Sequence, residues 1–293
     1  MIAMFTIALT ADLHYGTRHP AGAEATRALI ADLHATPPDL LILAGDIGAG
    51  DEFERCLQLF RELPSQKALV PGNHDIWVRP GDPRGNSLAV YRDYLPRIAA
   101  EQGFHFLDRE PLVLPDLGLA IVGSMNWYDY SWALDRLPAM AADWEDRLRT
   151  KRFLRGRHND ANFVRWSLTD VTFTQEIIAE LTAQLERALK WVPAAMLVTH
   201  HPPFRGLNYP KQQPLELDGL LWEAFSGNMT LERLIEQHGE RIPFAFCGHT
   251  HYAREAQLGP TRGINIGGDY HFKRLVHVTW PTGAVQTTQF GES

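Results

Sequence analysis

Five short clusters of polar residues occur along the chain, and each follows a short apolar run. Together they offer carboxylate, amide and imidazole groups, and none contains a thiol. The clusters are Asp12-x-His14, Gly45-Asp46, Gly72-Asn73-His74-Asp75, Thr199-His200-His201 and Gly248-His249-Thr250-His251. Such ligands without thiolate suit manganese, iron or zinc. The set is large enough to hold two divalent ions around one shared carboxylate.

Two such ions about 3.5–4 Å apart form a clamp for phosphoryl transfer. That spacing needs a bridging ligand, and Asp46, which stands alone on its loop, is the natural candidate. In an extended segment, residues two apart point the same way, so Asp12 and His14 can address one site. The same holds for His249 and His251.

Each cluster also has an ordinary explanation when it is taken alone. Gly45-Asp46 could be a turn, and Asp12 could cap a helix. In His200-His201, alternation along an extended segment lets only one ring face the metals. All five clusters in this order, each after a predicted strand, favour the metal site.

The elements that must position these clusters alternate between strands and helices. In open α/β sheets, binding residues gather in loops at the carboxyl ends of strands. We predict strands at 5–10, 40–44, 68–70, 119–123, 195–198, 243–246, 275–280 and 284–290. We predict helices at 23–35, 52–62, 87–102 and 172–191. Thr172 and Gln175 are expected to form a capping box at the start of the last helix.

The segment at about 126–170 does not follow this alternation and is rich in Trp, Tyr and Arg. We interpret it as a largely helical cap inserted over the active face of a single domain, 1–293. Its aromatic and arginine side chains could stack a ring and hold its phosphate. Alternatively, the aromatics form the core of a small helical unit, and this second interpretation is favoured.

Bulk composition limits the function classes. The chain has 293 residues, 45% hydrophobic and 22% charged, as in an ordinary globular protein. A net charge of −7 argues against tight sequence-independent binding of nucleic acid. It does not exclude a small anionic substrate, because bound cations dominate the local field. No apolar run approaches the roughly 18 residues of a membrane helix, so no membrane partner and a cytoplasmic location are expected.

The order and spacing of the five clusters resemble the calcineurin-like metallophosphoesterase superfamily, from the first strand to Gly248-His249-Thr250-His251. The resemblance implies a four-layer α-β-β-α sandwich of two mixed sheets flanked by helices. It also implies that two divalent ions share Asp46. The first ion would be bound by Asp12, His14 and His251, and the second by Asn73, His200 and His249.

The resemblance further implies that His74 is not a ligand. It would donate a hydrogen bond to a phosphate oxygen or a proton to the leaving group, and Asp75 would orient it. Five residues are candidates for substrate contact, because they follow strands or lie next to a predicted ligand. They are Asn126, Tyr128, His201, Phe204 and Arg205.

The implied reaction follows from electrostatics. Two cations lower the pKa of a bridging water, so that a metal-bridging hydroxide is available near neutral pH. Hydroxide attacks phosphorus in line with the leaving oxygen, and His74 assists. The predicted function is hydrolysis of a small phosphodiester, with a cyclic nucleotide among the candidates.

Two branches of the superfamily fit poorly. Phosphoprotein phosphatases have Gly-Asp-x-Val-Asp-Arg-Gly where this chain has Gly45-Asp46-Ile47-Gly48-Ala49-Gly50. Purple acid phosphatases have a metal-binding Tyr where this chain has Ala49. A bacterial phosphodiesterase-like branch remains, with a phosphomonoesterase or a metal-dependent nuclease as alternatives. A non-catalytic scaffold is disfavoured because the chain keeps every predicted ligand.

Overall fold

Two six-stranded mixed sheets, flanked by helices, form the core of the protein. The computed structural model describes residues 4–16, 19–210 and 216–292. The strands are β1 Phe5–Thr10, β2 Leu40–Ala44, β3 Gln66–Val70, β4 His105–Phe106, β5 Leu112–Leu114, β6 Leu119–Ser124, β7 Ala194–Thr199, β8 Phe244–Cys247, β9 Arg254–Leu258, β10 Thr261–Asn265, β11 Lys273–Trp280 and β12 Ala284–Phe290. The architecture confirms the predicted fold class.

The helices vary widely in length, from a single turn to five turns. They are α1 Pro20–Ala35, α2 Asp51–Gln58, α3 Ser87–Ala89, α4 Leu95–Glu101, α5 Leu137–Met140, α6 Trp144–Thr150, α7 Asp160–Phe163, α8 Asp170–Ala188, α9 Leu217–Ala224 and α10 Met229–His238. A π-helical turn, Val90–Tyr94, joins α3 to α4. None of these helices has the length and apolar character needed to cross a bilayer.

Parallel pairing brings the polar clusters to the edges of the sheets. The first sheet has the order β12-β11-β1-β2-β3-β4, in which β1 to β4 are parallel. The second has the order β5-β6-β7-β8-β10-β9, with β6, β7, β8 and β10 parallel. The carboxyl ends of β1, β2 and β3 therefore share one edge of the first sheet. Those of β7 and β8 share an edge of the second.

The uninterrupted apolar sequence of β2 reflects burial on both of its faces. Leu40, Ile42 and Ala44 belong to the cluster between the two sheets, whereas Leu41 and Leu43 pack on the helix side. All five side chains are buried. This explains why a continuous apolar run predicted the strand correctly, residue for residue.

The start of α8 differs from its prediction. The helix begins at Asp170, two residues before the predicted start at Thr172. The cap is Thr169, which has an extended backbone and whose Oγ1 accepts a hydrogen bond from the Thr172 backbone N at 3.0 Å. The predicted capping box of Thr172 with Gln175 is therefore wrong, because Thr172 already lies in the first turn.

Residues 126–169 contain the short helices α5, α6 and α7. The aromatic side chains at the start of this segment, Trp127, Tyr128 and Trp132, are fully buried. These three rings are part of the hydrophobic core rather than exposed stacking surfaces. For them, the favoured interpretation of the aromatic cluster agrees with the structure.

A substitution of Phe246 tests the packing between the two sheets. It lies in β8, is fully buried and faces the inter-sheet cluster. We expect Phe246→Ala to lower the free energy of unfolding by about 3–5 kcal/mol, because it leaves a cavity that the sheets cannot close. Urea denaturation of the metal-free protein measures the loss. Trp191→Ala is the matched control, because Trp191 is 77% exposed. Equal losses for the two variants would contradict the assigned packing.

Candidate metal centre

Donor atoms from both sheets converge at the ends of the strands. Asp12 and His14 follow β1, Asp46 follows β2, and His74 follows β3. His200 follows β7 and His251 follows β8. Within three groups, all ligand atoms lie within 4.8 Å of one another. The groups are Asp12 with His14 and His251, His14 with Asp46 and His74, and Asp12 with Asp46 and His200.

Asp46 lies at the centre of this cluster and is only 2% exposed. Its Oδ1 is 3.3 Å from His200 Nε2. Its Oδ2 is 3.7 Å from His14 Nε2 and 3.7 Å from His74 Nε2. The backbone N of His74 donates to Oδ1 at 2.9 Å. One carboxylate thus contacts donors on two sides, as a shared ligand must.

The remaining donors lie on either side of Asp46. On one side, His14 Nε2 and His251 Nε2 are 3.0 Å apart, and His251 Nε2 is 3.6 Å from Asp12 Oδ1. On the other side, His200 Nε2 is 3.2 Å from Asn73 Oδ1. The His200 Nδ1 donates to the carbonyl of Ala44 at 3.0 Å, which directs Nε2 into the site.

His249 takes a different position from the other predicted ligands. Its backbone N donates to Asp12 Oδ1 at 3.0 Å. Its ring lies beside that of His200, with centroids 5.2 Å apart. It is outside the three groups of converging donors. The structure therefore brings the ring next to the cluster without placing it among the closest ligand atoms.

The donor set fits divalent cations. It consists of imidazole nitrogens and carboxylate and amide oxygens, the ligands that manganese, iron and zinc accept. Burial raises the pKa of Asp12 to about 6. Burial also opposes ionisation of Asp46, but the neighbouring His200 and His74 hold the pKa of that carboxyl well below its usual value. Two buried carboxylates facing each other need positive charge, which bound cations would supply.

Five of the seven predicted ligands have a left-handed backbone. Their φ angles are 56° at Asp12, 43° at His14, 50° at Asp46, 70° at His249 and 61° at His251. Such values are uncommon for residues other than glycine and cluster at functional sites. The predicted extended geometry of the two His-containing pairs is therefore wrong. Side chains of Asp12 and His14 still converge, but they do so across tight turns.

Two positions in the clusters, Gly72 and Gly248, must be glycine because other protein atoms lie very close to their backbones. A Cβ on Gly72 would lie 2.2 Å from both the backbone N and the Oδ1 of Asp46. A Cβ on Gly248 would lie 2.4 Å from Asp12 Oδ2. Each glycine therefore lets a neighbouring loop pack directly against a buried carboxylate.

Asp75 has a different role from the one predicted. It is fully buried, and its Oδ1 and Oδ2 accept hydrogen bonds from the backbone N of Gly48 at 2.8 Å and of Gly72 at 2.7 Å. Both carboxylate oxygens thus join the loops after β2 and β3, and the expectation that Asp75 orients the His74 ring is corrected. The His74 ring instead stacks on Trp77, with centroids 3.6 Å apart.

Four of the five predicted substrate contacts lie in the interior. Asn126, Tyr128 and His201 are fully buried, and Phe204 is 2% exposed. The Asn126 Nδ2 donates to the backbone carbonyls of His201 and Pro202. In this conformation, protein atoms surround these four side chains. Contact of these four residues with a substrate stays a prediction from the sequence.

The surroundings of His201 and Arg205 differ from each other. The His201 ring packs against the His249 ring at a centroid distance of 4.0 Å. It therefore supports a predicted ligand from behind rather than facing a substrate. Arg205, whose side chain is 36% exposed, has its Nε 3.6 Å from Glu232 Oε2. It is the one predicted contact of the five that reaches solvent.

Two buried charged residues near the centre escaped the sequence analysis. Lys273, 1% exposed in β11, donates to the carbonyl of Asp12 at 3.1 Å and to that of Asp269. Burial lowers the pKa of Lys273 to about 8. Asp160, fully buried in α7, accepts a hydrogen bond from Asn73 Nδ2 at 2.9 Å. Neither residue belongs to a local motif, so no sequence pattern marked it.

The centre opens to solvent beside His74 and His251, whose side chains are 19% and 27% exposed. A cavity of about 670 Å³ adjoins His251. Its walls carry aromatic, acidic and basic side chains. They include Tyr209, Tyr252, Asp269, Phe272 and Arg274. An elongated polar molecule could therefore reach the cluster along this cavity.

Comparisons with known proteins agree with this geometry. Residues 5–253 match the model of a family described as calcineurin-like phosphoesterase. The acyl-carrier-protein phosphodiesterase PptH of Mycobacterium tuberculosis is similar, with 29% identity over 285 residues, 88% of this chain and 83% of that protein.

Solved structures show the same fold. The crystal structure of phosphopantetheinyl hydrolase PptH from Mycobacterium tuberculosis aligns over 92% of both chains, with a TM-score of 0.71 and 24% identity. A dimetal phosphatase from Danio rerio aligns over 99% of both chains, with a TM-score of 0.53 and 15% identity. In both cases the similarity in fold extends beyond the candidate metal ligands to nearly the whole chain.

The Asp75 contacts give a prediction about the apoprotein. In Asp75→Asn, one oxygen becomes an NH₂ group that must face a backbone N–H donor. We expect a loss of about 1–3 kcal/mol in the free energy of unfolding, because a buried hydrogen bond is replaced by two opposed donors. Urea denaturation without metal measures it. Asp135→Asn is the control, since the Asp135 side chain is 73% exposed. An unchanged stability for Asp75→Asn would refute the bracing role.

Proposed function

The chain belongs to the calcineurin-like phosphoesterase family and is a metal-dependent phosphoester hydrolase, and we propose that it cleaves a phosphodiester that links phosphopantetheine to an acyl carrier protein. The similarity to PptH supports this choice of substrate, because it extends over 88% of the chain. A cyclic nucleotide and other small phosphodiesters are the alternatives within the same reaction class.

One observation carries the proposal: a single buried carboxylate, Asp46, has imidazole donors on both sides. In the proposed centre Asp46 is shared between two ions, which also bind two sets of other residues. The sets are Asp12, His14 and His251, and Asn73, His200 and His249. When bound, two divalent ions supply an acidified water and polarise the phosphoryl oxygens. The choice of metal, manganese, iron or zinc, and a cytoplasmic location stay predictions from the sequence.

His74 is the proposed proton donor or phosphate-binding group. Its backbone N is held by Asp46 Oδ1 and its ring by the stack on Trp77, so the imidazole has a fixed direction. Its side chain is nevertheless 19% exposed, so a substrate oxygen can reach it. A group that is both rigid and accessible suits transfer of a proton to a leaving oxygen.

The cavity beside His251 supports an elongated substrate. Tyr209 also lines a second cavity of about 460 Å³, together with Arg205 and Arg254. Tyr209 lines both cavities, so they lie next to each other on the side of the candidate metal centre where His251 is exposed. A pantetheine chain is long and uncharged beyond its phosphate, and it would fit such a surface better than a compact cyclic ester.

A panel of esters tests the proposed function. The metal-free protein, reloaded with manganese or zinc, is incubated with a phosphopantetheinylated carrier protein, cyclic AMP, bis(p-nitrophenyl) phosphate, p-nitrophenyl phosphate and single-stranded DNA. We expect release of phosphopantetheine, seen as a mass loss of the carrier protein, and the highest kcat/KM for that substrate. Asp46→Ala should abolish turnover with every ester, because it removes the proposed shared ligand.

Asp135→Ala, which removes an exposed carboxylate, is the control for Asp46→Ala. Cleavage of the monoester alone would reject the diesterase assignment. Preferential cleavage of DNA would favour the nuclease. Two bound ions with no hydrolysis of any ester would favour a non-catalytic scaffold.

The role of His74 has its own test. We expect His74→Ala to lower kcat about 10²–10⁴-fold, the range for loss of a positioned acid. Binding of the two ions should persist, because His74 is not among the proposed ligands. Steady-state kinetics and metal analysis measure the two effects. His34→Ala, which changes an exposed imidazole on α1, is the control. Wild-type kcat in His74→Ala would remove the residue from the mechanism.

A further inference from the structure

We propose that Asp160 is a positioning residue for the metal centre, which fixes the amide of Asn73 directly and the ring of His74 through Trp77. The inference rests on the proposed function, in which Asn73 is a ligand and His74 acts on the substrate. It assigns to the 126–169 segment a part in building the centre, which the motif residues alone do not suggest.

Asp160 is a fully buried carboxylate at the start of α7. Its Oδ1 accepts two hydrogen bonds, from Asn73 Nδ2 at 2.9 Å and from Trp77 Nε1 at 2.8 Å. Its Oδ2 accepts a hydrogen bond from the Tyr128 hydroxyl at 2.9 Å and lies 3.3 Å from His158 Nδ1. Both oxygens are therefore occupied by side chains of the protein.

The bond to Asn73 decides which end of its amide faces the cluster. A carboxylate can only accept, so the NH₂ group of Asn73 must point toward Asp160. The amide oxygen then points the other way, to 3.2 Å from His200 Nε2. With the amide reversed, oxygen would face oxygen at Asp160, and a donor would face the metal site. Partners of this kind orient ligands in many metal centres.

The hydrogen bond from Trp77 to Asp160 also fixes the orientation of the His74 ring. The Trp77 indole lies between two rings, with centroids 3.6 Å from His74 and 4.9 Å from Phe163, and it is nearly parallel to both. Phe163 is the last residue of α7, and its carbonyl accepts a hydrogen bond from the backbone N of Val78 at 2.9 Å. The indole N–H bond to Asp160 fixes the rotation of this stack.

Asp170 offers a matched comparison within the same part of the chain. It is also a buried carboxylate, and it accepts hydrogen bonds from Trp127 Nε1 at 2.9 Å, from the Tyr130 hydroxyl and from Lys151 Nζ. All three partners lie within the 126–169 segment, and none is a proposed ligand. The two aspartates thus differ in their link to the centre rather than in burial.

Manganese binding to the metal-free protein tests the inference without relying on activity. Titration calorimetry of the wild type should show that two manganese ions bind. We expect Asp160→Leu, which has the same number of side-chain heavy atoms and no acceptor, to weaken one of them about 10–100-fold. Asp160→Asn should bind both ions nearly as the wild type does. Its amide oxygen can accept from Asn73 and Trp77, while its NH₂ group faces the Tyr128 hydroxyl.

Two further variants separate positioning from stability. Asp170→Asn should leave both dissociation constants unchanged, whatever it does to the thermal midpoint. In an Asn73→Ala background, Asp160→Leu should cause no additional loss of metal affinity, because the amide that it positions is gone. If Asp160 had a structural role alone, its loss of metal affinity would add to that of Asn73→Ala. Variants of Asp160 and Asp170 would then affect metal binding alike.

The outcomes distinguish this inference from the function on which it rests. If the wild type binds two ions and folded Asp160→Leu binds them equally well, the inference is overturned and the proposed centre stands. A roughly 10–100-fold weaker binding of one ion in folded Asp160→Asn would also overturn it, and this measurement does not require Asp160→Leu to fold. A wild type that binds fewer than two ions overturns both.

Discussion

The burial of one carboxylate among imidazoles is the constraint on which the site depends. Asp46 is almost inaccessible to water, and a lone charge there would be strongly unfavourable. Contacts with His14, His74 and His200 offset that cost, and each of these residues comes from a different strand end. The two sheets must therefore meet at this edge, and Gly72 must lack a side chain so that its loop can pack against the carboxylate.

The sequence predicted eight of the twelve described strands, because strands covered on both faces need uninterrupted apolar runs, as 40–44 shows. It did not predict β4, β5, β9 and β10. It also predicted which polar clusters would meet, because parallel strands end at one edge. It missed the long-range contacts that hold the clusters in place. Asp75 reaches Gly48 across 27 positions, Asp160 reaches Asn73 across 87, and Lys273 reaches Asp12 across 261. No local pattern marks a contact over such separations.

The burial of four predicted substrate contacts has a related cause. A polar residue directly after a strand was expected to face the site, but the chain turns there. Asn126 has a φ of 54°, and its side chain points into the interior, where it bonds to the carbonyls of His201 and Pro202. The side chains that do border the opening, such as Tyr252 and Arg274, lie outside the five clusters. The motifs therefore do not mark the side chains that line the cavity beside the candidate metal centre.

The left-handed turns at Asp12, His14, Asp46, His249 and His251 also bear on how the enzyme tolerates change. Conformations of this kind cost roughly 1–3 kcal/mol each, a cost that glycine avoids. Directed evolution that selects only for heat resistance would thus be drawn toward replacing these very residues and would yield durable but inert proteins. Durability and turnover compete at the same five positions, so a useful selection must demand both at once.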